Sequence, residues 1–268
     1  FHKAKGFVKG LMGCVGSGKS SACCIEIVNL ALQQPPSPDG VRKCRALVIR
    51  NTYPELKSTT IKTWEQWFPH NIAPIKWDTP ITSTMNISDI GDGTGLKLEV
   101  WFMALDRASD TGRMRSLEVS LAWINECSEV PKEIFDIATQ RVGRFPRKTD
   151  GGFHSPCVLL DTNPPDDASW YFKLAEEETP DGWKFFRQAG GLYKDGEEYK
   201  PNPDAENIEN LPNGYNYYLN MLGAKDDNWI NVFVLGNYGS TSDGKPVFPE
   251  FKDKIHVAEE EMGLWIDS

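Results

Sequence analysis

Long apolar runs are missing from this chain. None approaches the ~20 residues that a membrane-spanning helix needs, and no signal peptide is visible at the N-terminus. Cysteine is present but unpatterned. Cys14, Cys23, Cys24, Cys44, Cys127 and Cys157 show neither a CxxC nor a Cys/His spacing, which argues against metal ligation and against a disulfide framework. A reducing compartment is the expectation. His2, His70, His154 and His256 suggest no cluster. Positive charge is in deficit: 29 Lys and Arg against 38 Asp and Glu give a net charge of −9. A generally basic nucleic-acid binder is thereby excluded, and any such contact has to be a local patch. Internal repeats and low-complexity tracts are also lacking.

What is there suffices for one sizeable core, or one core plus a small appendage, since 40% of 268 residues are hydrophobic. A chain that begins on Phe1 and ends on GLWIDS is expected to be a piece of a longer protein. Phe7–Met12 reads as a short strand and Ser20–Gln33 as a helix. After the proline-rich loop 33–40, CRALVIR (44–50) reads as a buried strand, and 58–68 as a helix with Ile61, Trp64 and Trp67/Phe68 on one face. ITSTMNIS and LKLEVWFMAL flank DIGDGTG as a β-hairpin. VSLAWI (119–124) and CVLLDTN (157–163) are further strands. PKEIFDIATQRVG is a helix with Pro131 in its first turn. A helix near 168–178, a strand WKFFRQ and helical stretches within 213–235 complete the pattern. Strands alternating with helices predict an α/β domain with a parallel sheet.

GCVGSGKSS (Gly13 to Ser21) has the spacing G-x-x-x-x-G-K-[ST]. Gly13, Gly16 and Gly18 let backbone N–H groups turn inward around a phosphate, with Ser17 and Ser21 beside them. Lys19 would reach the β- and γ-phosphates, and the Ser20 hydroxyl would bind Mg²⁺. The strand before and the helix after it supply the required context.

Two later strand ends extend the site. LAWINE runs four apolar residues into Asn125 and Glu126, at the carboxyl end of a strand, where open α/β sheets place ligand chemistry. There the first residue serves the Mg²⁺ shell and Glu126 polarises the attacking water. Asn125 departs from the usual Asp: its amide can hydrogen-bond a Mg²⁺-bound water but carries no charge. LLDTNPP ends in Asp161-Thr162-Asn163, placing a polar side chain beside the γ-phosphate, where Thr162 and Asn163 would sense hydrolysis; the same residues are also ordinary turn chemistry.

These stretches, with RNTYPELKSTT and the aromatic helix after TNPP, resemble the ATPase domain of bacteriophage large terminases, the DNA-packaging motors. NGYNYYLNMLGAKDDNWINVFVLGNYGSTSDGKPVFPEF is similar to the segment preceding the nuclease domain there, so the resemblance covers nearly the whole chain. It implies a P-loop NTPase of the additional-strand, catalytic-Glu (RecA-like) type with a small lid subdomain. The expected division is a 1–188 ATPase core and a 189–268 lid and linker region. It further implies ATP and Mg²⁺ as cofactors and a homo-oligomeric ring, expected to be a pentamer. The implied partners are double-stranded viral DNA, the portal protein of the procapsid and the small terminase subunit, in the host cell cytoplasm and away from any membrane. The nuclease is not expected within these residues, although GLWIDS could open such a domain with Asp267 as one ligand. By the same resemblance Lys19 and Ser20 bind phosphate and Mg²⁺, Asn125 and Glu126 form the second motif, and Thr162 and Asn163 the coupling motif.

Many terminases carry an arginine inside the P-loop, and here Cys14, Val15 and Ser17 stand at the variable positions. Arg113 and Arg115, in DTGRMRS, are candidates for a finger given to a neighbouring subunit, Arg115 slightly favoured; surface or ion-paired arginines are the alternative. Arg50 is either a coupling residue or part of a buried salt bridge. Arg141, Arg144, Arg147 and Lys148, in RVGRFPRK without an acid, are the candidate DNA-backbone contact. A helicase- or recombination-type DNA-dependent ATPase is the nearest rival reading, but the chain has no room for a second RecA-like domain. A P-loop kinase is a more distant one.

Overall fold

The computed structural model describes residues 1–223 and 225–239. Its strands are β1 (Val8–Met12), β2 (Val41–Arg50), β3 (Ile75–Lys76), β4 (Ile81–Ile87), β5 (Gly95–Ala104), β6 (Leu121–Asn125), β7 (Cys157–Thr162) and β8 (Trp183–Arg187). They form one sheet in the order β3-β4-β5-β2-β6-β7-β1-β8. From β5 to β8 every pairing is parallel, and β4 runs antiparallel to both β5 and β3. The hairpin read from ITSTMNIS and LKLEVWFMAL is thus β4–β5, with Ile87 opposite Leu96. One strand, β7, separates the strand before the P-loop from the strand that ends in Asn125.

Each central strand is apolar on both sides, as a parallel sheet covered on both faces requires. On one face Cys44, Ala46 and Val48 of β2 and Leu121 and Trp123 of β6 pack under α1 (Lys19–Gln33), with Ile61 and Trp64. On the other, Leu47, Ile49, Ala122 and Ile124 pack with Met114 and with Ile134, Phe135 and Ala138. Those residues belong to α4 (Thr111–Met114) and α5 (Lys132–Arg141), and α6 (Trp170–Phe172) adds Tyr171. Pro131 stands one position ahead of α5 rather than inside its first turn.

The helix expected over 58–68 is broken in kind. It begins as α2 (Tyr53–Glu55), where Thr52 accepts from the Glu55 N–H, widens into a π-helical stretch Leu56–Thr60, and continues as α3 (Ile61–Trp67). Its buried face is Ile61, Trp64 and Phe68, one residue in three or four, whereas Trp67 turns outward at 46% exposure. A second π-helical stretch, Lys173–Glu177, follows α6.

Residues after β8 fold back over the P-loop. They comprise the hairpin β9 (Leu192–Asp195) and β10 (Glu198–Pro201), then α7 (Asn216–Leu219) and α8 (Asp227–Phe233). Leu192, Tyr218, Ile230 and Val234 form a third small core with Cys14. The later part of the segment likened to the one before a nuclease, together with GLWIDS, Asp267 and His256, lies outside the described residues. No helix among the described residues is long and apolar enough to cross a membrane. All six cysteines are free and buried, and burial pushes the Cys44 and Cys157 thiols up to about 12, so they behave as packing residues.

Candidate nucleotide site

Parallel strands put their carboxyl ends on one edge, and there the chain brings together the P-loop after β1, Arg50 at the end of β2, Asn125 at the end of β6 with Glu126 next to it, and Asn163 after β7. A cavity of about 230 Å³ opens between Gly16, Gly18, Lys19, Ser20, Glu126 and Asn163. A hollow of about 770 Å³ sits at the other end of β1, around the buried Lys9–Glu26 pair. Size alone therefore does not locate the chemistry.

The P-loop conformation depends on its glycines. Gly16 and Gly18 have φ of 79° and 82°, a region that L side chains rarely enter. At Gly13 a Cβ would lie 2.6 Å from Gln188 Oε1 and 2.8 Å from Ser17 Oγ. Ser17 donates to the Cys14 carbonyl at 2.8 Å, so its hydroxyl closes the loop from within. The first turn of α1 carries no acid, which leaves its N–H groups to an anion.

Lys19 is buried and donates to the Cys14 carbonyl at 2.9 Å and to Asn163 Oδ1 at 3.1 Å. Asn163 turns its donors to Glu126: the backbone N–H lies 3.2 Å from Oε2, and Nδ2 lies 3.4 and 3.3 Å from the two carboxylate oxygens. The Thr162 hydroxyl lies 2.7 Å from the Asn163 carbonyl and 2.8 Å from Ser128 Oγ.

Glu126 has φ 48° and ψ 56°. A left-handed backbone at a residue that is not glycine costs on the order of 1–2 kcal/mol, and such strain concentrates at functional sites. Burial raises the Glu126 pKa, and the nearby charge of Asp161 raises it further. Lys19, Arg50 and the Asn163 N–H act in the opposite sense. Arg50 is a buried salt-bridge residue, 3.2 Å from Glu129 and 3.8 Å from Glu55, and it donates to the Asn125 carbonyl at 3.4 Å.

Beneath these groups lies a polar cluster that motif spacing did not reveal. Ser20 Oγ donates to Asp161 Oδ2 at 2.8 Å, and Trp123 Nε1 donates to Asp161 Oδ1 at 2.7 Å. Asn125 Nδ2 donates to both Asp161 oxygens at 3.0 Å and to Ser20 at 3.2 Å, while Thr60 donates to Asn125 Oδ1 at 2.6 Å. The sequence signal for the cluster was period-2 alternation: residues 121, 123 and 125, and 157, 159 and 161, all face α1. No group of three His, Cys, Asp or Glu side chains fit to hold a metal occurs among the described residues. A hydroxyl beside a carboxylate at a phosphate loop does suit Mg²⁺, which keeps several waters and takes few protein ligands.

The remaining candidates lie apart. Arg113 donates to the carbonyl of Ala104, the last residue of β5, at 3.0 Å, and so stands toward the nucleotide edge. The Arg115 carbonyl accepts from Arg141 at 2.6 Å, at the end of α5 and near the amino end of β6. Arg141 is therefore engaged, whereas Arg144, Arg147 and Lys148 are exposed. The Arg144 N–H bonds the Val119 carbonyl, which puts this basic loop at the end of the sheet opposite the cavity. Cys14 and Val15, at variable positions of the P-loop, pack against the segment after β8. Tyr218 donates to the Val15 carbonyl at 2.9 Å, and Asn207 to that of Gly16 at 2.8 Å.

The fold is shared with a phage large terminase. The large terminase of a thermophilic bacteriophage, in one crystal form, superposes with a TM-score of 0.59 at 12% identity, covering 86% of this chain and 48% of that one. In complex with ADP the same terminase gives 0.57 at 12%, covering 86% and 48%, and with ATP-γ-S 0.55 at 12%, covering 86% and 47%. The chain spans about half the length of that terminase. No protein-family model and no curated protein matches the sequence.

Proposed function

We propose that this chain is the ATP-hydrolysing part of a DNA-packaging motor of the large-terminase kind. The observation that carries the reading is Asn163, which holds the P-loop Lys19 with its oxygen and Glu126 with its two donors. Phosphate charge and the water-polarising carboxylate thus meet at one side chain, as γ-phosphate hydrolysis needs.

In this mechanism the P-loop N–H groups and Lys19 bind the β- and γ-phosphates. Ser20 offers its hydroxyl to Mg²⁺, which when bound neutralises phosphate charge. Glu126, held on one side by Asn163, accepts a proton from the attacking water. Asn163 exchanges Lys19 for phosphate and is the coupling residue. Residues 1–188 are the core and 189–268 the lid and linker region, which clasps the P-loop through Asn207 and Tyr218.

The thermophilic phage structures hold ADP and ATP-γ-S in a protein of the same fold, which supports the nucleotide reading. The packaging role extends it: a ring of subunits working in the host cytoplasm with portal protein and small terminase subunit on double-stranded viral DNA. The exposed Arg144, Arg147 and Lys148 are the DNA-backbone candidates within this chain. ATP hydrolysis by the purified protein, measured with and without duplex DNA over a salt series, tests the reading. Stimulation by DNA that fades as salt rises supports it, and hydrolysis indifferent to DNA removes the motor from it.

A further inference from the structure

A carboxylate with no ion pair lies beside Ser20. Asp161 is fully buried, stands next to last in β7 after the apolar run CVLL, and accepts from a serine, an asparagine and a tryptophan. No ion pair among the described residues includes it. A buried charge is costly unless a cation meets it. Asn125, by contrast, turns its amide nitrogen to the site: Nδ2 faces Asp161 and Ser20, while Oδ1 points to Thr60 and accepts from it. That amide orientation follows from its neighbours, because an ionised carboxylate only accepts.

We propose that Asp161, not Asn125, is the acidic residue facing the divalent cation that accompanies the nucleotide, its charge carried one strand away from the position where Asp is usual. Asn125 and Asp161 are direct partners in the parallel β6–β7 register, so the displacement is one strand spacing, about 4.8 Å. Both side chains face α1 and both reach the Ser20 hydroxyl. Asn125 is then a positioning residue. It is fixed by Thr60 and aims the Asp161 carboxylate at Ser20.

The proposal rests on the nucleotide reading, and one experiment separates the two. Affinity for fluorescent ADP is measured with and without Mg²⁺ for wild type, Lys19→Ala, Asp161→Asn and the exchange Asn125→Asp/Asp161→Asn. In parallel, Mn²⁺ binding in the presence of ADP is read by electron paramagnetic resonance. Wild type binds ADP, and Mg²⁺ tightens it; Lys19→Ala binds poorly with or without Mg²⁺. Asp161→Asn keeps the Mg²⁺-free affinity, loses the tightening and weakens Mn²⁺ binding about 10–100-fold. The exchange, which returns a carboxylate to β6, restores both. Should Asp161→Asn not fold, Asp161→Ser removes the charge and leaves a hydroxyl for Trp123 and Asn125. Wild-type protein that binds no ADP overturns the nucleotide reading and the proposal with it. ADP binding that Mg²⁺ tightens as strongly without Asp161 overturns the proposal alone.

Discussion

Asn163 and Glu126 face each other across the cavity, with both oxygens of the carboxylate within 3.4 Å of Asn163 donors. The same amide accepts from Lys19, so one side chain links the P-loop lysine to the carboxylate. Replacing Asn163 with Ala should leave nucleotide affinity close to wild type and lower hydrolysis, because Lys19 keeps its charge while Glu126 loses its holder. Comparing ADP affinity with turnover checks this. Equal losses in both would assign Asn163 to binding alone.

Glu126→Gln should bind ATP and hydrolyse it about 10²–10⁴-fold more slowly. The raised pKa of Glu126 adds a stability signature whose sign is fixed. The folded protein holds that proton more tightly than the unfolded chain, so the carboxylate costs stability once pH rises above the ordinary glutamate range. Glu126→Gln should therefore melt higher than wild type at neutral pH, and the gain should vanish below about pH 4, where both side chains are neutral. Melting curves at the two pH values decide it, and a gain at acid pH would contradict the linkage.

Tyr218→Phe removes the hydroxyl that the Val15 carbonyl accepts from, at the contact between the segment after β8 and the P-loop. One hydrogen bond of this kind contributes about 1 kcal/mol, so the melting point should fall by about 2–4 °C. No change would mean that the clasp contributes nothing.

Arg113, rather than Arg115, stands toward the nucleotide edge. In an assembled ring, Arg113→Ala subunits mixed with Glu126→Gln subunits should recover activity that neither has alone, because some interfaces then pair an intact Glu126 with an intact incoming arginine. Recovery with Arg115→Ala and not with Arg113→Ala would reverse the assignment.

The elements were legible wherever local pattern decides structure. The P-loop announces itself through glycine spacing, the central strands through short apolar runs, and the β4–β5 hairpin through DIGDGTG. Contacts that span the sequence were not legible. Ser20 and Asp161 are 141 positions apart, and only the register of β6 against β7 brings Asn125 to the same carboxylate. The π-helical stretches were missed because a single widened turn is too short to show a period of its own in the sequence. The surroundings of Cys14 and Val15 were not legible either, because the segment after β8 that packs against them is far away in sequence.

The account stands most directly on one measurement: calorimetric titration of Mg·ADP into the wild-type protein and into Lys19→Ala. It predicts one site per chain in wild type and at least tenfold weaker binding in the variant, with the fold intact by circular dichroism, since Lys19 lines the cavity and its charge has no acidic partner among the described ion pairs. Undiminished binding by Lys19→Ala, or none by wild type, would contradict it.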